Sequence, residues 1–500
     1  MERTSLTVLA LLLAVGDAAA QESPAAPSPL APEVSLSQIP GEGEDLELPT
    51  ETVGAPTPGV PTLDLAGAVR VALERNFSLL DSSDSVASAR WQETAARGEF
   101  LPQVVPTFER GEGRTLFGLD VSQKLPWTGG TVVASGRYLT QPDAEGLYPR
   151  TSDLRLLLSQ PLLRDAGPNA TYFNLTNAER AVAGQERSFE LARQWLAVQV
   201  ASSFYSVVAQ RQLFDVAEQS LERTESLLKA SDARLKVGMA SKLDVFRAEL
   251  QAAQAREGMI RSRASLETAL EQFRGILALP PDNLVEPEAV SLAAPEGGEV
   301  EPVEVLVGRA LDSRLELKEA RDRVDDARRA ASLARQDMLP RVDVNLGVNR
   351  LGFGRSFGDL WGLSDRQVEF FLSASYPIRQ STQKANRALS ELQVRSRERG
   401  VEQLELEIER EVHQAVRELD RIRQSMEVQE QAVDVAAKQR RLAVLRYQRG
   451  LASNFDVIDA ESNFVVARSS LVGLLTSYAV ARLELERVTG SLAVDTEFAP

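Results

Sequence analysis

Cysteine is absent from the 500-residue chain, and histidine occurs once, as His413. The first absence removes disulfides, thiolate nucleophiles, cysteine metal sites and lipid attachment through an N-terminal cysteine. The second leaves too little for a histidine-rich metal site or a histidine-based catalytic triad. Neither a metal nor another cofactor is therefore expected, and most enzyme chemistries drop out. Aromatic residues are only 6% of the chain, which suits long helices better than an all-β core. Basic residues are in deficit, 56 Lys+Arg against 72 Asp+Glu, for a net charge of -16. With no segregated basic patch, such a chain repels nucleic acid. Long apolar runs are also missing. Beyond the first twenty residues, none approaches the ~18 to 20 residues of a transmembrane helix.

What is present begins with a targeting segment over residues 1–20. Arg3 supplies a positive start, Leu6 to Val15 is an apolar stretch too short to span a bilayer, and Ala18-Ala19-Ala20 is a small-residue cleavage pattern. The mature chain is expected to begin at Gln21. Residues 21–61 are rich in Pro, Ala and acidic side chains and read as a disordered leader. At Thr62 a helical pattern opens, with Leu65, Val69, Leu73, Leu79 and Leu80 to one side.

The rest of the chain is duplicated. Residues 310–314 (ALDSR) echo 72–76 (ALERN), and Leu339-Pro340-Arg341-Val342 echoes Leu101-Pro102-Gln103-Val104, both at an offset of 238. Residues 446–468 align with 234–256 at an offset of 212, so the first half carries about 26 extra residues between the two landmarks. This gives a first repeat over 62–285, a linker over 286–305, a second repeat over 306–490 and a C-terminal tail over 491–500.

Each repeat reads as helix, strands, very long helix, tip and helix. A seven-residue apolar series runs through Val200, Val207, Phe214, Leu221, Leu228 and Leu235, with small or polar companions such as Ser203, Ala217, Thr224 and Ser231. Its counterpart is Val412, Leu419, Met426 and Val433. Beyond Gly238 and Gly450 the seam resumes as Val245, Ala252, Met259, Leu266, Phe273 and as Val457, Phe464, Leu471, Tyr478, Leu485. Such a period predicts two antiparallel coiled-coil hairpins. The stretch from Pro168 to Gly238 would span on the order of 105 Å if wholly helical.

Other segments alternate. Val342, Val344, Leu346 and Val348 interleave with polar or small residues, as do Val368, Phe370, Leu372, Ala374 and Tyr376, while Leu154, Leu156 and Leu158 precede Gln160-Pro161. Alternation over about ten residues fits barrel strands with one face on lipid and one on water, and equally an amphipathic soluble hairpin. Trp127, Tyr138, Tyr148, Phe353, Phe357 and Trp361 could form interfacial girdles. Two strands per repeat make four per chain, too few to close a barrel alone. Open strand edges cannot face lipid, so a barrel requires several copies, and three would give twelve strands. The extra residues include Leu119 to Pro126, which resembles Leu156 to Pro161. They read as a further hairpin, inside or outside the barrel.

Read locally, Gly238 and Gly450 are helix C-terminal glycines, and Asp244 and Asp456 each follow a tip serine by three residues, where the helix dipole favours an acid. Asp459 is different, because the first repeat has Arg247 at its place.

With its export segment, doubled unit, Leu-Pro before a strand, strand ending in Gln/Tyr-Pro, and tips GMASKLDV (238–245) and GLASNFDV (450–457), the sequence resembles the TolC-type outer-membrane efflux proteins over about residues 62–490. The resemblance implies an α+β membrane protein, with helical hairpins forming a periplasmic tunnel and strands entering a shared trimeric barrel. As partners it implies two further copies, outer-membrane lipid, a periplasmic adaptor and an inner-membrane pump of an efflux or type I secretion system. The adaptor would dock on the tips, Gly238, Ala240, Ser241, Gly450, Ala452 and Ser453. Asp456 and Asp459 would line the closed periplasmic mouth, and Tyr447 would hold the inner hairpin shut through Asp244. Where the family has a gate arginine, this chain has Ala452, leaving that lock missing or supplied by Lys242 or Arg449. The competing expectation is a soluble periplasmic coiled-coil scaffold. An enzyme would need the carboxylates at 456 and 459 to work at the end of a rod with no predicted pocket.

Overall fold

The computed structural model describes residues 60–111, 113–141, 150–280, 282–290, 301–354 and 365–494. The targeting segment, the leader up to residue 59, the end of the tail and the girdle candidates Tyr148, Phe357 and Trp361 lie outside them.

The duplication extends to element boundaries. Helices α1 (Leu65–Arg75) and α2 (Phe77–Gly98) in the first repeat correspond to α6 (Val303–Ser313) and α7 (Leu315–Gln336) in the second. Each pair breaks at one extended residue, Asn76 (φ -64, ψ 122) or Arg314 (φ -60, ψ 126). Asn76 caps α2 by accepting hydrogen bonds from the amides of Ser78 and Leu79. Arg314 has no capping side chain and instead holds Glu316 and Glu411 with its guanidinium.

The first helix begins later than the sequence pattern suggests. Thr62–Leu63 is a short strand, β1, parallel to β6 (Glu286–Pro287), and α1 starts only after its N-cap Asp64. The segment is extended because its main chain is bonded to the end of the repeat: Glu286 N donates to Pro61 O and Glu288 N to Leu63 O. Arg211 secures this strap, donating to Glu286 Oε2 and to Pro287 O at 3.1 Å each.

The long helices follow the seven-residue seam. A short helix α3 (Pro168–Thr171) leads into α4 (Phe173–Lys236), 64 residues or about 96 Å, which turns back as α5 (Lys242–Ile276). In the second repeat, α8 (Ser381–Gln448) and α9 (Asn454–Val488) do the same. Within the first hairpin Val200, Val207, Phe214 and Leu221 on α4 are buried, with Leu266 and Phe273 on α5. Phe204 and Phe273 meet edge-on at 6.2 Å in that core. The second hairpin buries Val412, Leu419, Met426 and Leu471. Helix α4 also packs along α9, joining the two hairpins.

Helix α9 corrects one expectation. By length and composition it could cross a membrane. Its buried side chains, including Val457, Ala460, Ala467 and Val472, lie instead within the helical bundle, and the buried Glu461, about two turns in from the start of the helix, is held by an arginine of α4. An intramembrane acid of this kind would be costly. Most of the apolar stretch of α9 is nonetheless uncovered in the single chain, with 17% of that stretch buried.

The strands correct another. Among the described residues the main sheet has six strands, not four, in the order β2 (Gln103–Gly111), β3 (Arg114–Lys124), β4 (Thr131–Thr140), β5 (Arg150–Pro161), β7 (Arg341–Gly354), β8 (Asp365–Ser375), all antiparallel. The extra residues of the first repeat form β3 and β4 and stand inside the sheet. One face carries Phe108, Phe117, Leu119, Leu154, Leu156, Leu346, Val368, Phe370 and Leu372, all exposed in the single chain. The other carries Asp120 paired with Arg137 and Arg155 paired with Glu369. An apolar face left exposed among the described residues, opposite a charged one, suits lipid outside and water inside.

Candidate functional site

Both helix tips are built by the same local chemistry. At the end of α4, Gly238 adopts φ 73, its amide donates to Leu235 O, and Met239 N donates to Arg234 O. At the end of α8, Gly450 adopts φ 75, its amide donates to Tyr447 O, and Leu451 N donates to Arg446 O. Only glycine takes this left-handed conformation without strain. The chain re-enters a helix three residues later through a capping box. Asp244 N donates to Ser241 Oγ at 3.2 Å, and Ser241 N to Asp244 Oδ2 at 3.0 Å. Ser453 and Asp456 repeat the arrangement, Ser453 N donating to Asp456 Oδ2 at 2.8 Å. Hydrogen bonds from Ser241, side chain first and main chain second, hold the Asp244 carboxyl below the ordinary carboxylate range, and those from Ser453 do the same for Asp456.

The tips expose apolar side chains that the small-residue motif did not reveal. Met239, Leu243 and Phe246 stand in solvent beside Gly238, Ala240 and Ser241, and Leu451 and Phe455 beside Gly450, Ala452 and Ser453. Their signal in the sequence is a large apolar residue at a seam-breaking position next to a turn.

Tyr447 is buried and joins the two hairpins, though not through Asp244. Its hydroxyl shares a 3.0 Å hydrogen bond with Ser231 Oγ on α4, and its ring packs with Leu227 and Val457. Asp244 is occupied by its own cap, and only its main-chain oxygen reaches across, accepting a bond from Asn454 Nδ2. The guanidinium that grips the tip is Arg234, rather than Lys242 or Arg449. It lies 4.0 Å from the centre of the Tyr447 ring and donates to the carbonyl oxygens of Tyr447 and Gln448. Asp456 and Asp459 are both exposed on α9, one turn apart, and Asp459 accepts from Asn463 Nδ2.

Two residues beyond Asp459 on α9, at Glu461, is a buried ionic cluster. Arg223 of α4 donates to Glu461 Oε1 at 2.9 Å, and Arg440 of α8 lies 3.8 Å from Glu461 Oε2. The Arg440 guanidinium stacks over Phe464 at 3.9 Å. Burial, then the neighbouring Arg223, push Arg440 down from its ordinary value. One carboxylate therefore holds two guanidiniums from two helices, on one side a member of the first hairpin and on the other a member of the second.

Comparisons with known proteins agree with this geometry. The family model for outer membrane efflux proteins matches residues 68–279 and 306–491, once per repeat and over most of the chain. The outer membrane protein TolC of Escherichia coli is 24% identical over 366 residues, 70% of this chain and 71% of TolC. Among solved structures, the Vibrio cholerae outer membrane protein VceC superposes with a TM-score of 0.67 at 17% identity, covering 85% of this chain and 96% of VceC. The open state of the Neisseria gonorrhoeae MtrE channel gives 0.66 at 18% identity, covering 86% and 90%. The soluble scaffold is thereby set aside. The family model covers both repeats, and the chain belongs to the outer membrane efflux protein family, as a channel and not an enzyme.

Proposed function

We propose that three copies of the chain assemble into one duct, closed at its periplasmic end by the second hairpin and docked there by an adaptor that connects it to an inner-membrane pump. The observation that carries this reading is the contrast at the tips. The first tip is capped and exposed, whereas the second is additionally bolted to α4 through Tyr447, Ser231 and Arg234. A hairpin fastened by a few polar bonds to its neighbour is suited to release. Support for association comes from the unpaired outer edges of β2 and β8, which lipid does not tolerate, and from the apolar side of α9 that one chain leaves largely uncovered. Exposed Met239, Leu243, Phe246, Leu451 and Phe455 give an adaptor apolar anchors around the small tip residues.

In a three-fold assembly Asp456 and Asp459 would form a ring of six carboxylates at the mouth, attracting cations. The test is electrical. The purified trimer in a planar bilayer is expected to be cation-selective and blocked by multivalent cations from the periplasmic side. Replacing both aspartates by Ala should weaken selectivity and block together, and unchanged recordings would reduce these acids to helix caps. Bulky replacements at Ala240, Ser241, Ala452 or Ser453 should stop export with trimers intact. Export unaffected by all four would move docking elsewhere.

A further inference from the structure

The six strands are three copies of one hairpin. In β2–β3, Gln103 pairs with Ser122; in β4–β5, Thr131 pairs with Ser159; in β7–β8, Arg341 pairs with Ser375. Each of these serines is followed by Gln or Tyr at the helix-side end of its strand: Gln123 and Gln160 within one residue of the strand's last residue, and Tyr376 just past it. The first two glutamines make the same long-range bond. Gln123 Nε2 donates to Phe100 O, three residues before β2, and Gln160 Nε2 donates to Thr128 O, three residues before β4. The extra residues of the first repeat therefore restore a complete unit, in register, within the wall.

Their turn is also fitted to the junction with the helices. Between β3 and β4, Trp127 takes a left-handed φ of 75 and sets its ring edge-on to Tyr172 at 5.8 Å. Gly129 lies so close to the start of α3 that a Cβ there would meet Asp165 O at 2.6 Å. Lys124, at the end of β3, holds Glu99 at the end of α2 at 3.3 Å. A hairpin looped out into solvent would need none of these. The two added strands keep the sidedness of the rest, with Phe117, Leu119 and Tyr138 on the apolar face and Asp120 and Arg137 on the charged one.

We infer that the hairpin is a structural part of the barrel wall, so that three copies with six strands each close an eighteen-stranded barrel instead of the twelve-stranded one expected from two hairpins per chain. This inference rests on the trimeric duct proposed above. At a strand spacing of about 4.8 Å and a tilt of about 40°, eighteen strands enclose a cylinder about 36 Å across between backbones, against about 24 Å for twelve. The added charged pair, Asp120 and Arg137, then lines a wide aqueous exit, and the edges that meet between copies are β2 and β8.

The experiment uses the full chain, whose lack of cysteine makes single-cysteine probes clean. Arg137→Cys and Leu119→Cys, placed separately and reconstituted in vesicles, are treated with a charged, membrane-impermeant thiol reagent. Trimer mass in detergent is measured alongside. The expected result is modification at 137 and at least tenfold slower modification at 119. Equal reactivity at both positions in an intact trimer would put the hairpin outside the wall and overturn the inference. Loss of the trimer itself would instead sink the assembly on which the inference rests. A second variant lacking residues 114–140 joins β2 to β5 as β7 joins β8. If it assembles, the size cut-off for polyethylene glycols entering from the external side should fall roughly 1.5-fold, the ratio of strand numbers. An unchanged cut-off would also overturn the inference, and if the variant does not assemble, the cysteine pair decides.

Discussion

The two helix tips share one backbone and differ in what they are fastened to. Gly238, Ser241 and Asp244 superpose in role on Gly450, Ser453 and Asp456, each set closing a helix and opening the next by bonds within a few residues. The repeats diverge around these turns, in part at positions that reach the other hairpin. Leu235 stands where the second repeat has Tyr447, Leu228 where it has Arg440, Lys242 where it has Asn454, and Arg247 where it has Asp459. Glu249 and Glu461 are the same residue in both, yet Glu249 is exposed and Glu461 buried. Duplication preserved the local chemistry of the turn. Divergence gave the second tip bonds to α4, from Tyr447 to Ser231 and from Arg234 to the carbonyls of Tyr447 and Gln448.

Breaking that comparison at its deepest point should have the largest effect. Glu461→Ala would leave Arg223 and Arg440 facing each other with no carboxylate between them. Removing one partner of a buried ion pair typically costs 3–5 kcal/mol. Since the two guanidiniums remain a quarter to a third exposed, we expect the lower end, about 3 kcal/mol. Hydrogen exchange of α9 amides near residue 461 should accelerate accordingly. Glu249→Ala, its counterpart on the exposed face, should leave exchange unchanged. Equal effects at the two sites would show that the ionic cluster does not distinguish the hairpins.

The fastening of the inner tip comes next. Tyr447→Phe keeps the ring against Leu227 and Val457 but strands the buried Ser231 hydroxyl, a loss of about 1–2 kcal/mol. The expected signature is a more frequently open channel in single-channel recording, with the trimer intact. Arg234→Ala should act in the same direction, because it removes two main-chain bonds and the contact with the Tyr447 ring. Closed-state currents identical to the parent in both variants would place the lock elsewhere.

How much of this could be read beforehand follows from the range of the interactions. The helical hairpins, their tips and the capping acids were legible because a seven-residue seam and a Gly-x-Ala-Ser-x-x-Asp turn are local patterns. The repeat offset gave the boundaries of α6 and α7 from those of α1 and α2. The short strand at Thr62 was not legible, since its conformation is set by Glu286 and Glu288, more than two hundred residues away. For the same reason the family pattern points Tyr447 at Asp244, whereas its hydroxyl bonds Ser231, a small residue of the seam. Leu119 to Pro126 carried the signal of an added hairpin, but insertion into the sheet is a matter of register between strands, which alternation alone does not specify. Arg234 has no distinguishing sequence context, being one arginine among many on a helix.

The smallest expected effect is shared by both tips and turns on pH. Asp244 and Asp456 have carboxyls held below their ordinary range by the capping serines. A carboxylate whose folded-state pKa is depressed stabilises the fold fully above its unfolded value, about 3.9 for aspartate, and loses that contribution as pH falls through the folded value. The tips should therefore hold their structure through neutral and mildly acidic conditions and fray only below the usual aspartate range. Ser241→Ala and Ser453→Ala each remove the side-chain bond that lowers the neighbouring acid most, so fraying should begin at higher pH in either variant, by the same amount. Proteolysis at residues 237–241 and 449–453 across a pH series, with an acid-stable protease, reads both tips at once. Later fraying of the second tip than of the first in the parent would mean that its bonds to α4 protect the turn as well as the hairpin. Simultaneous fraying would confine those bonds to positioning, with the caps alone deciding how each tip responds to acid.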